Sequence, residues 1–541
     1  MKNWYKNAII YRLDVESFYD ANGDGIGDFQ GLKQKLHYLA GLGIDCIWIL
    51  PFYPTPNRDN GYDVKDYFNI DPRLGNLGDF VDFVHQAKAF GIKVIIDLVV
   101  NHTSIEHPWF QESRKSPDSP YRDYYIWVKE PKSEKKERVV FNGIEHSVWE
   151  YDEMADAYYL HHFFKEQPDL NIDNPTVQAE ILKIMGFWLE LGISGFRIDA
   201  AHILTETIEQ VHEDKDNLHH ILNIFRDFQK GRNAEAVLIG EANVEYDKLK
   251  EYFGQKDRLH LLFNFMVNKN MFLSLARKDA SPLYKTYKEI CNIEPAEWVN
   301  FIRHHDELNL EYLTEEERNE VFETFAPQEE MRIFGHGIRR RFPPMVNGDR
   351  KRIEMFYSLL FSLQGIPMIS YGEELGMGDN LALSGRTSVR TPMQWSNAKN
   401  GGFSKAETNK LVCPLVTEGA FSYHKINVLQ QMSEPDSLMH WMENLIRVRK
   451  KCPEIGNGNW KTLTTNNAQV FACEAEWQDQ KLLCLHNFGE AKAEVKIKTP
   501  YLKNAQLVNI FGDRVYKTED SQEVFSIEGY GYRWIKVFQK A

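Results

Sequence analysis

A chain of 541 residues with 43% hydrophobic and 26% charged residues is long enough to bury several cores, and about two to four domains are expected. Its formal charge of −14 argues against polyanionic partners, since phosphate binding is driven by Lys and Arg, so no nucleic acid is expected. No apolar run approaches the ~20 residues of a membrane span, so no membrane is expected either.

The basic runs Arg339–Arg341 and Arg350–Arg352 are read as solvated or ion-paired. Cys46, Cys291, Cys413, Cys452, Cys473 and Cys484 show no metal spacing and are expected to be reduced. The start, Met1 to Tyr11, has no apolar signal core, which gives a cytoplasmic protein as the expectation.

In chain order, Ala8–Arg12 reads as a strand and Phe29–Leu42 as a helix with Leu32, Leu36 and Leu39 on one face. Ile44–Leu50 reads as a strand, Leu77–Phe90 as a helix, and Val94–Val100 as a continuously apolar strand. Continuous apolar strands alternating with amphipathic helices imply a parallel sheet buried on both faces. Over this length the rhythm predicts an α/β fold, a (β/α)₈ TIM barrel. No glycine-rich dinucleotide fingerprint follows the first strand, which disfavours an open doubly wound sheet.

From residue 104 to 174 the rhythm breaks into a Pro-, Tyr- and Trp-rich stretch, expected to form an irregular inserted domain after strand 3. Barrel segments are therefore expected at 1–103 and 175–455. The helix Val177–Leu191 and the strands Ile193–Ala200, Ala236–Glu241, Leu261–Phe265, Phe301–Arg303 and Pro367–Tyr371 belong to the second of them. From 456 to 541, short alternating pieces such as Gln469–Glu474 and Lys481–Asn487 predict a C-terminal antiparallel β-domain.

Catalytic residues of such a barrel sit at the C-terminal ends of its strands. Asn101-His102, Asp199, Glu241 and Asp306 fall there. Within Gly195–Ala200, Arg197 and Asp199 are two apart, so on a strand both leave one face. The cation is expected to lower the carboxyl pKa and keep a nucleophile ionised. Taken alone the hexapeptide also fits a structural ion pair. Three acidic strand ends accompanied by His102, Arg197 and His305 point instead to glycoside chemistry, which needs one carboxylate nucleophile and one proton donor.

The sequence resembles the α-amylase superfamily of glycoside hydrolases and transglycosidases. The resemblance is carried by Asn60-Gly61-Tyr62-Asp63-Val64, Asp97–His102, Gln167–Asn171, Gly195–Ala200, Gly240-Glu241 and His304–Glu307. It implies Asp199 as nucleophile, Glu241 as general acid/base and Asp306 as the third carboxylate. It also implies His102, His305, Arg197 and Asp63 around the transferred glucose, with Tyr62 as its stacking floor.

Within the superfamily the chain most resembles the trehalose synthases, through Asp306–Leu308, Arg339–Arg341, Gly348–Arg350, Glu374–Asn380, Val389–Trp395 and Gly402–Ser404. That likeness implies Arg390 paired with Asp63, closing the pocket onto small α-glucosides such as maltose or trehalose. Two departures bear on the reaction. His304 stands where the family usually has Asn, and Thr205–Leu222 lacks the Asn-rich acceptor-side sequence. Interconversion of maltose and trehalose with more hydrolysis than usual is therefore expected. A hydrolytic α-glucosidase is the nearest alternative, and a non-catalytic superfamily member a remoter one.

Asp20-Ala21-Asn22-Gly23-Asp24-Gly25-Ile26-Gly27-Asp28 places oxygen donors at alternate positions, a pattern for Ca²⁺ with Mg²⁺ as the alternative. Position twelve is Gly31, so an EF-hand is not expected; an unmetallated Asp/Gly turn is the other reading. The resemblance implies a structural Ca²⁺ held by Asp20, Asn22, Asp24, the Ile26 carbonyl and Asp28. It implies a second site at Asn101, Asp169 and Glu206, and no organic cofactor.

Overall fold

Eight parallel strands close into a barrel: β1 (Ile10–Leu13), β2 (Cys46–Ile49), β3 (Lys93–Leu98), β4 (Gly195–Ile198), β5 (Val237–Gly240), β6 (Leu261–Phe263), β7 (Trp298–Phe301) and β8 (Ile366–Ser370). In this computed structural model residues 3–131, 139–141, 143–204, 219–291, 293, 297–497, 499–517, 519–520 and 523–539 are described. Each strand pairs in parallel with its sequence neighbours, and β8 closes on β1 through Ile10 opposite Met368. The last two strands differ slightly from expectation: β7 lies at Trp298–Phe301 rather than 301–303, the chain bending away before Arg303, and β8 at Ile366–Ser370 rather than 367–371.

Strand periodicity explains the two faces. Ile10, Cys46, Trp48, Ile95, Val237, Ile239, Leu261, Phe263, Val299, Phe301, Ile366 and Met368 form one buried cluster that fills the barrel interior. Alternate residues such as Ile9, Tyr11, Ile47, Ile96, Phe196 and Leu238 face the other way and pack on the surrounding helices. Following the inward period two residues further along leads from Ile95 to Asp97, from Arg197 to Asp199, and from Ile239 to Glu241. The catalytic candidates are therefore continuations of the core face.

The helix Leu77–Ala89 starts at Asn76 with a capping box closed by Asp79. The helix Pro175–Glu190 starts at Asn174, whose side chain accepts from Thr176 N, with proline in its first turn. The single helix expected over Phe29–Leu42 is two, Phe29–Gln34 and Leu36–Leu42. Between them Lys35 leaves helical geometry, and its ammonium lies 3.9 Å and 4.1 Å from the ring centroids of Tyr19 and Trp395.

Between β3 and Pro175, the strands Trp127–Val128, Ala157–Leu160 and Trp149–Asp152 form an antiparallel sheet in that order. After the helix Leu438–Lys450 the chain passes into a six-stranded antiparallel sheet that runs from Asn459 to Gln539. The pair Ala493–Lys496 and Val524–Ile527 lies beside it. Trp460 Nε1 donates to Ser362 O, and Trp534 Nε1 to Ser358 Oγ, tying this sheet to the barrel helix Arg350–Ser362. The six cysteines are free. Among the described residues no helix is long and apolar enough to cross a membrane.

Candidate active site

At the C-terminal mouth of the barrel one guanidinium organises three carboxylates. Arg197 Nη1 donates to Asp97 Oδ1 at 2.7 Å and to Asp199 Oδ1 at 2.5 Å, and Nη2 donates to Glu241 Oε2 at 2.6 Å. Asp199 and Glu241 thus stand side by side on one planar fork. A shared guanidinium brings the two carboxylates to one place at the mouth, as a two-carboxylate glycoside mechanism requires. The Ala200 N–H also donates to Glu241 Oε2 at 3.2 Å, from a residue held at φ 43°. A left-handed alanine directly after Asp199 is the kind of backbone strain that collects at functional sites.

The electrostatics correct one expectation. Burial pushes the Asp199 carboxyl well above its usual range; Arg197 opposes the rise, and Glu241, Asp97 and Asp306 add to it. The expected lowering by Arg197 is present but outweighed by burial, to which the neighbouring carboxylates on the same cation add. Burial likewise raises Asp97, to about 6.

Asp306 shows the opposite balance. Burial acts to raise it, but Arg386, His305 and His304 together hold it well below the ordinary carboxylate range. His305 Nε2 lies 3.0 Å from Asp306 Oδ2 and Arg390 Nη2 3.1 Å from Oδ1, and Arg386 Nη1 donates to the same Oδ1.

Tyr62 stacks on His305 with rings parallel within 4° and its hydroxyl 2.8 Å from His305 Nε2. His102 Nε2 lies 3.2 Å from Tyr62 O and 3.1 Å from Gln167 Nε2. Burial lowers the His102 pKa to about 4 and takes His305 well below its usual value, so both rings are neutral at neutral pH. A cavity of about 210 Å³ is lined by Tyr62, His102, Asp199, Glu241, His305 and Asp306.

The closing pair is not the one expected. Asp63 and Arg390 do not line the cavity. Asp63 folds back on its own loop and accepts from Thr55 Oγ1 at 2.8 Å, Arg58 N at 2.9 Å and Asp59 N at 3.2 Å. Arg390 lies beneath, with Nε donating to His305 O at 2.9 Å.

The cavity end is spanned instead by Arg386, whose Nη2 donates to Asp59 Oδ1 at 3.1 Å while Nη1 reaches Asp306. Gln167 Nε2 donates to the other Asp59 oxygen at 3.0 Å. The reason is local. Asn60 and Gly61 turn at φ 48° and 93°, and a Cβ on Gly61 would stand 2.7 Å from Pro51 O. That turn sends Asp59 and Asp63 in different directions.

Sequence reasoning missed Asp59, which precedes the Asn60–Val64 motif, and Arg386, four residues before Arg390. It also missed Phe141, Asn243, Asn309, Glu311 and His336, cavity residues from loops with no local pattern.

The Asp20–Asp28 loop is held by its own side chains. Asp20 accepts from Gly23 N and Gly25 N, Asn22 Oδ1 from Asp24 N, Asp24 from Ile26 N, and Asp28 from Ala21 N, Asn22 N and Gly31 N. The donor set is oxygen throughout, the chemistry a hard cation takes, while the Asp20, Asp24 and Asp28 carboxylates are turned onto backbone N–H groups. Among the described residues only His304, His305 and Asp306 bring three His, Cys, Asp or Glu ligand atoms within 4.8 Å of one another.

At the second expected site Asn101 Nδ2 donates to Asp169 Oδ1 at 3.1 Å, and Asn101 Oδ1 is buried without a hydrogen-bond partner. His162 Nδ1 takes the other Asp169 oxygen. Glu206 lies outside the described residues.

Residues 12–458 match the alpha amylase catalytic domain, and residues 460–534 the maltogenic amylase C-terminal domain. The chain belongs to the α-amylase family.

It is 40% identical to a trehalose synthase of Thermus thermophilus over 98% of this chain, but spans only 55% of that protein's length. It is 37% identical to the trehalose synthase/amylase TreS of Mycolicibacterium smegmatis over 99% of this chain and 93% of the relative. The crystal structure of the isomaltulose synthase SmuA from Protaminobacter rubrum superimposes with a TM-score of 0.80 at 27% identity, covering all of both chains. The matched catalytic domain and these relatives identify an enzyme of the glycoside hydrolase and transglycosidase type.

Proposed function

We propose that the chain is a retaining α-glucosyl transferase that interconverts maltose and trehalose, with glucose released by hydrolysis as a side product. The observation that carries this is the pair Asp199 and Glu241 on one Arg197, facing a cavity spanned by Arg386 and Asp59. An end closed by an ion pair admits a terminal glucose and no continuing chain.

With the site's proton on Glu241, whose charge otherwise helps to raise Asp199, an ionised Asp199 oxygen held by Arg197 attacks the anomeric carbon. The bond to the leaving oxygen breaks as it attacks, and Glu241 passes that proton to the leaving oxygen. Glu241 then takes the proton of the incoming hydroxyl, which attacks the anomeric carbon and frees Asp199. Asp306, held ionised by Arg386 and Arg390, grips sugar hydroxyls. Tyr62 offers the stacking floor, and neutral His102 and His305 offer hydrogen bonds.

If the released glucose stays and attacks through its anomeric hydroxyl, trehalose forms; if water attacks, glucose does. His304 in place of Asn, and the departure of Thr205–Leu222 from the family pattern, favour a larger hydrolytic share. Incubation with maltose, with every product sugar followed over time, is the test. Trehalose rising with some glucose is expected; glucose alone at every time point would make the protein an α-glucosidase.

We also propose that the Asp20–Asp28 loop holds Ca²⁺ through Asp20, Asn22, Asp24, the Ile26 carbonyl and Asp28. Asn101 and Asp169 would hold a second ion. The bound ion would supply stability and no step of the chemistry, since the loop carries none of the proposed catalytic groups.

A further inference from the structure

Lys269 is the one lysine buried among the described residues, at 1% exposure, and it makes no ion pair within them. It projects from the helix Phe265–Arg277 that follows β6. Its Nζ donates to Asn243 Oδ1 at 3.2 Å and to the Glu311 main-chain oxygen, and lies 5.0 Å over the Tyr312 ring. A buried ammonium hydrogen-bonded only to an amide and a carbonyl, over a ring, is costly to hold there. Burial pulls its pKa down to about 7 against the opposing charge of Glu311.

What it holds is one wall of the cavity. With its oxygen taken by Lys269, the Asn243 amide turns its Nδ2 to Glu311 Oε2 at 3.1 Å. Asn309 Nδ2 lies 3.3 Å from the same oxygen, and Tyr312 OH donates to Asn243 O at 3.3 Å. Asn243, Asn309 and Glu311 all line the cavity. Asn243 follows Glu241 by two residues on the loop after β5, while Asn309 ends the short strand Leu308–Asn309 that follows β7 and Glu311 comes two residues later. Glu241 protonates the departing oxygen, so the wall that Asn243 forms two residues further along the same loop stands on the side of the leaving sugar.

We propose that Lys269 is a positioning residue for the acceptor: it fixes the Asn243 amide and the Glu311 carboxylate that retain released glucose, and so sets how much transfer wins over hydrolysis. This rests on the transfer reading above. An unanchored Asn243 can rotate its amide, and the acceptor then loses a directed donor and an ordered carboxylate at once.

The test is K269M, which keeps the length and apolar stem of the side chain and removes its donors. With maltose, the trehalose-to-glucose ratio is expected to fall about fivefold, the effect of about one lost hydrogen bond, and to recover in K269R. Release of an aryl group from an aryl α-glucoside, which reports the first step, should change far less than that ratio. In an N243A background K269M should add little, because the two act through one amide.

If the parent makes no trehalose, the transfer reading has failed; the proposal is then judged on inhibition by added glucose, whose Ki should rise in K269M. Should K269M not fold, K269Q is read the same way. An unchanged product ratio and glucose Ki, or losses in K269M and N243A that simply add, would overturn the proposal.

Discussion

Arg386 donates to Asp59 at 3.1 Å across 327 positions of sequence, and the same guanidinium reaches Asp306. One cation therefore both closes the sugar cavity and sets the charge of its third carboxylate. R386M removes both functions. Leaving Asp59 and Asp306 buried without their shared cation should cost on the order of 3–5 kcal/mol of stability. Thermal unfolding and kcat/KM on maltose and maltotriose measure the outcome: activity on maltose falls, and the relative rate on maltotriose rises because the end is open. D63A should destabilise by about 1–3 kcal/mol through the lost loop hydrogen bonds and leave the maltose preference in place. A rise in relative maltotriose activity in D63A but not in R386M would return the gate to the pair expected from sequence.

The side-by-side placement of Asp199 and Glu241 predicts different failures for their amides. D199N should form no covalent adduct with an activated glucosyl fluoride and show no turnover, since an amide cannot form the ester. E241Q should lose about 10²–10⁴ in kcat on maltose yet accumulate a glucosyl adduct from the same fluoride, whose leaving group needs no proton. Intact-protein mass spectrometry separates the two. An adduct on D199N would place the nucleophile elsewhere.

Glu373 gives a pH signature away from the chemistry. Burial raises its carboxyl from 4.5 to about 7, although Ser370 N and the arginines Arg341, Arg12 and Arg303 oppose the rise. The folded state then binds a proton that the unfolded chain releases near 4.5. Between those values the native form holds more protons, so this group's contribution to stability declines as pH rises from 4.5 to about 7. The full span corresponds to on the order of 3 kcal/mol. E373Q cannot titrate and should flatten that part of the curve. Urea unfolding of both proteins at several pH values checks it, and parallel curves would count against the assignment.

A structural ion in the Asp20–Asp28 loop predicts a melting temperature that depends on calcium. At a hundredfold excess over Kd a ligand bound only by the native state adds about 2.7 kcal/mol. Chelation should lower the melting temperature and leave the activity of the still-folded enzyme largely intact, and D24N should respond less to calcium than the parent. Identical melting curves with and without the ion, after its removal has been verified by elemental analysis, would dispose of the site.

Much of the site was legible because strand periodicity and chemistry coincide. Asp97, Arg197, Asp199 and Glu241 continue the inward faces of β3, β4 and β5, so a reader who finds the apolar strands also finds what stands at their ends. Asp306 lies five residues beyond β7, after the chain has bent away, so its motif rather than strand period marked it, while the alternation of strand and helix specified a closed parallel barrel. These are local properties: each depends on spacing within a few residues.

What only the tertiary structure decided lies between segments that the sequence does not relate. Asp59 and Arg386 meet because a left-handed turn at Asn60 and Gly61 sends Asp63 back into its own loop and Asp59 outward. The Asp199 carboxyl rises although Arg197 touches it, because packing buries it and because Glu241 and Asp97 arrive from other strands beside it. Lys269 looks like any surface lysine of an amphipathic helix until Asn243 and Glu311 are seen to cover it. Pattern along a chain determines which face a residue leaves from; burial and shared partners, which determine its charge and what it can hold, exist only once distant segments have packed.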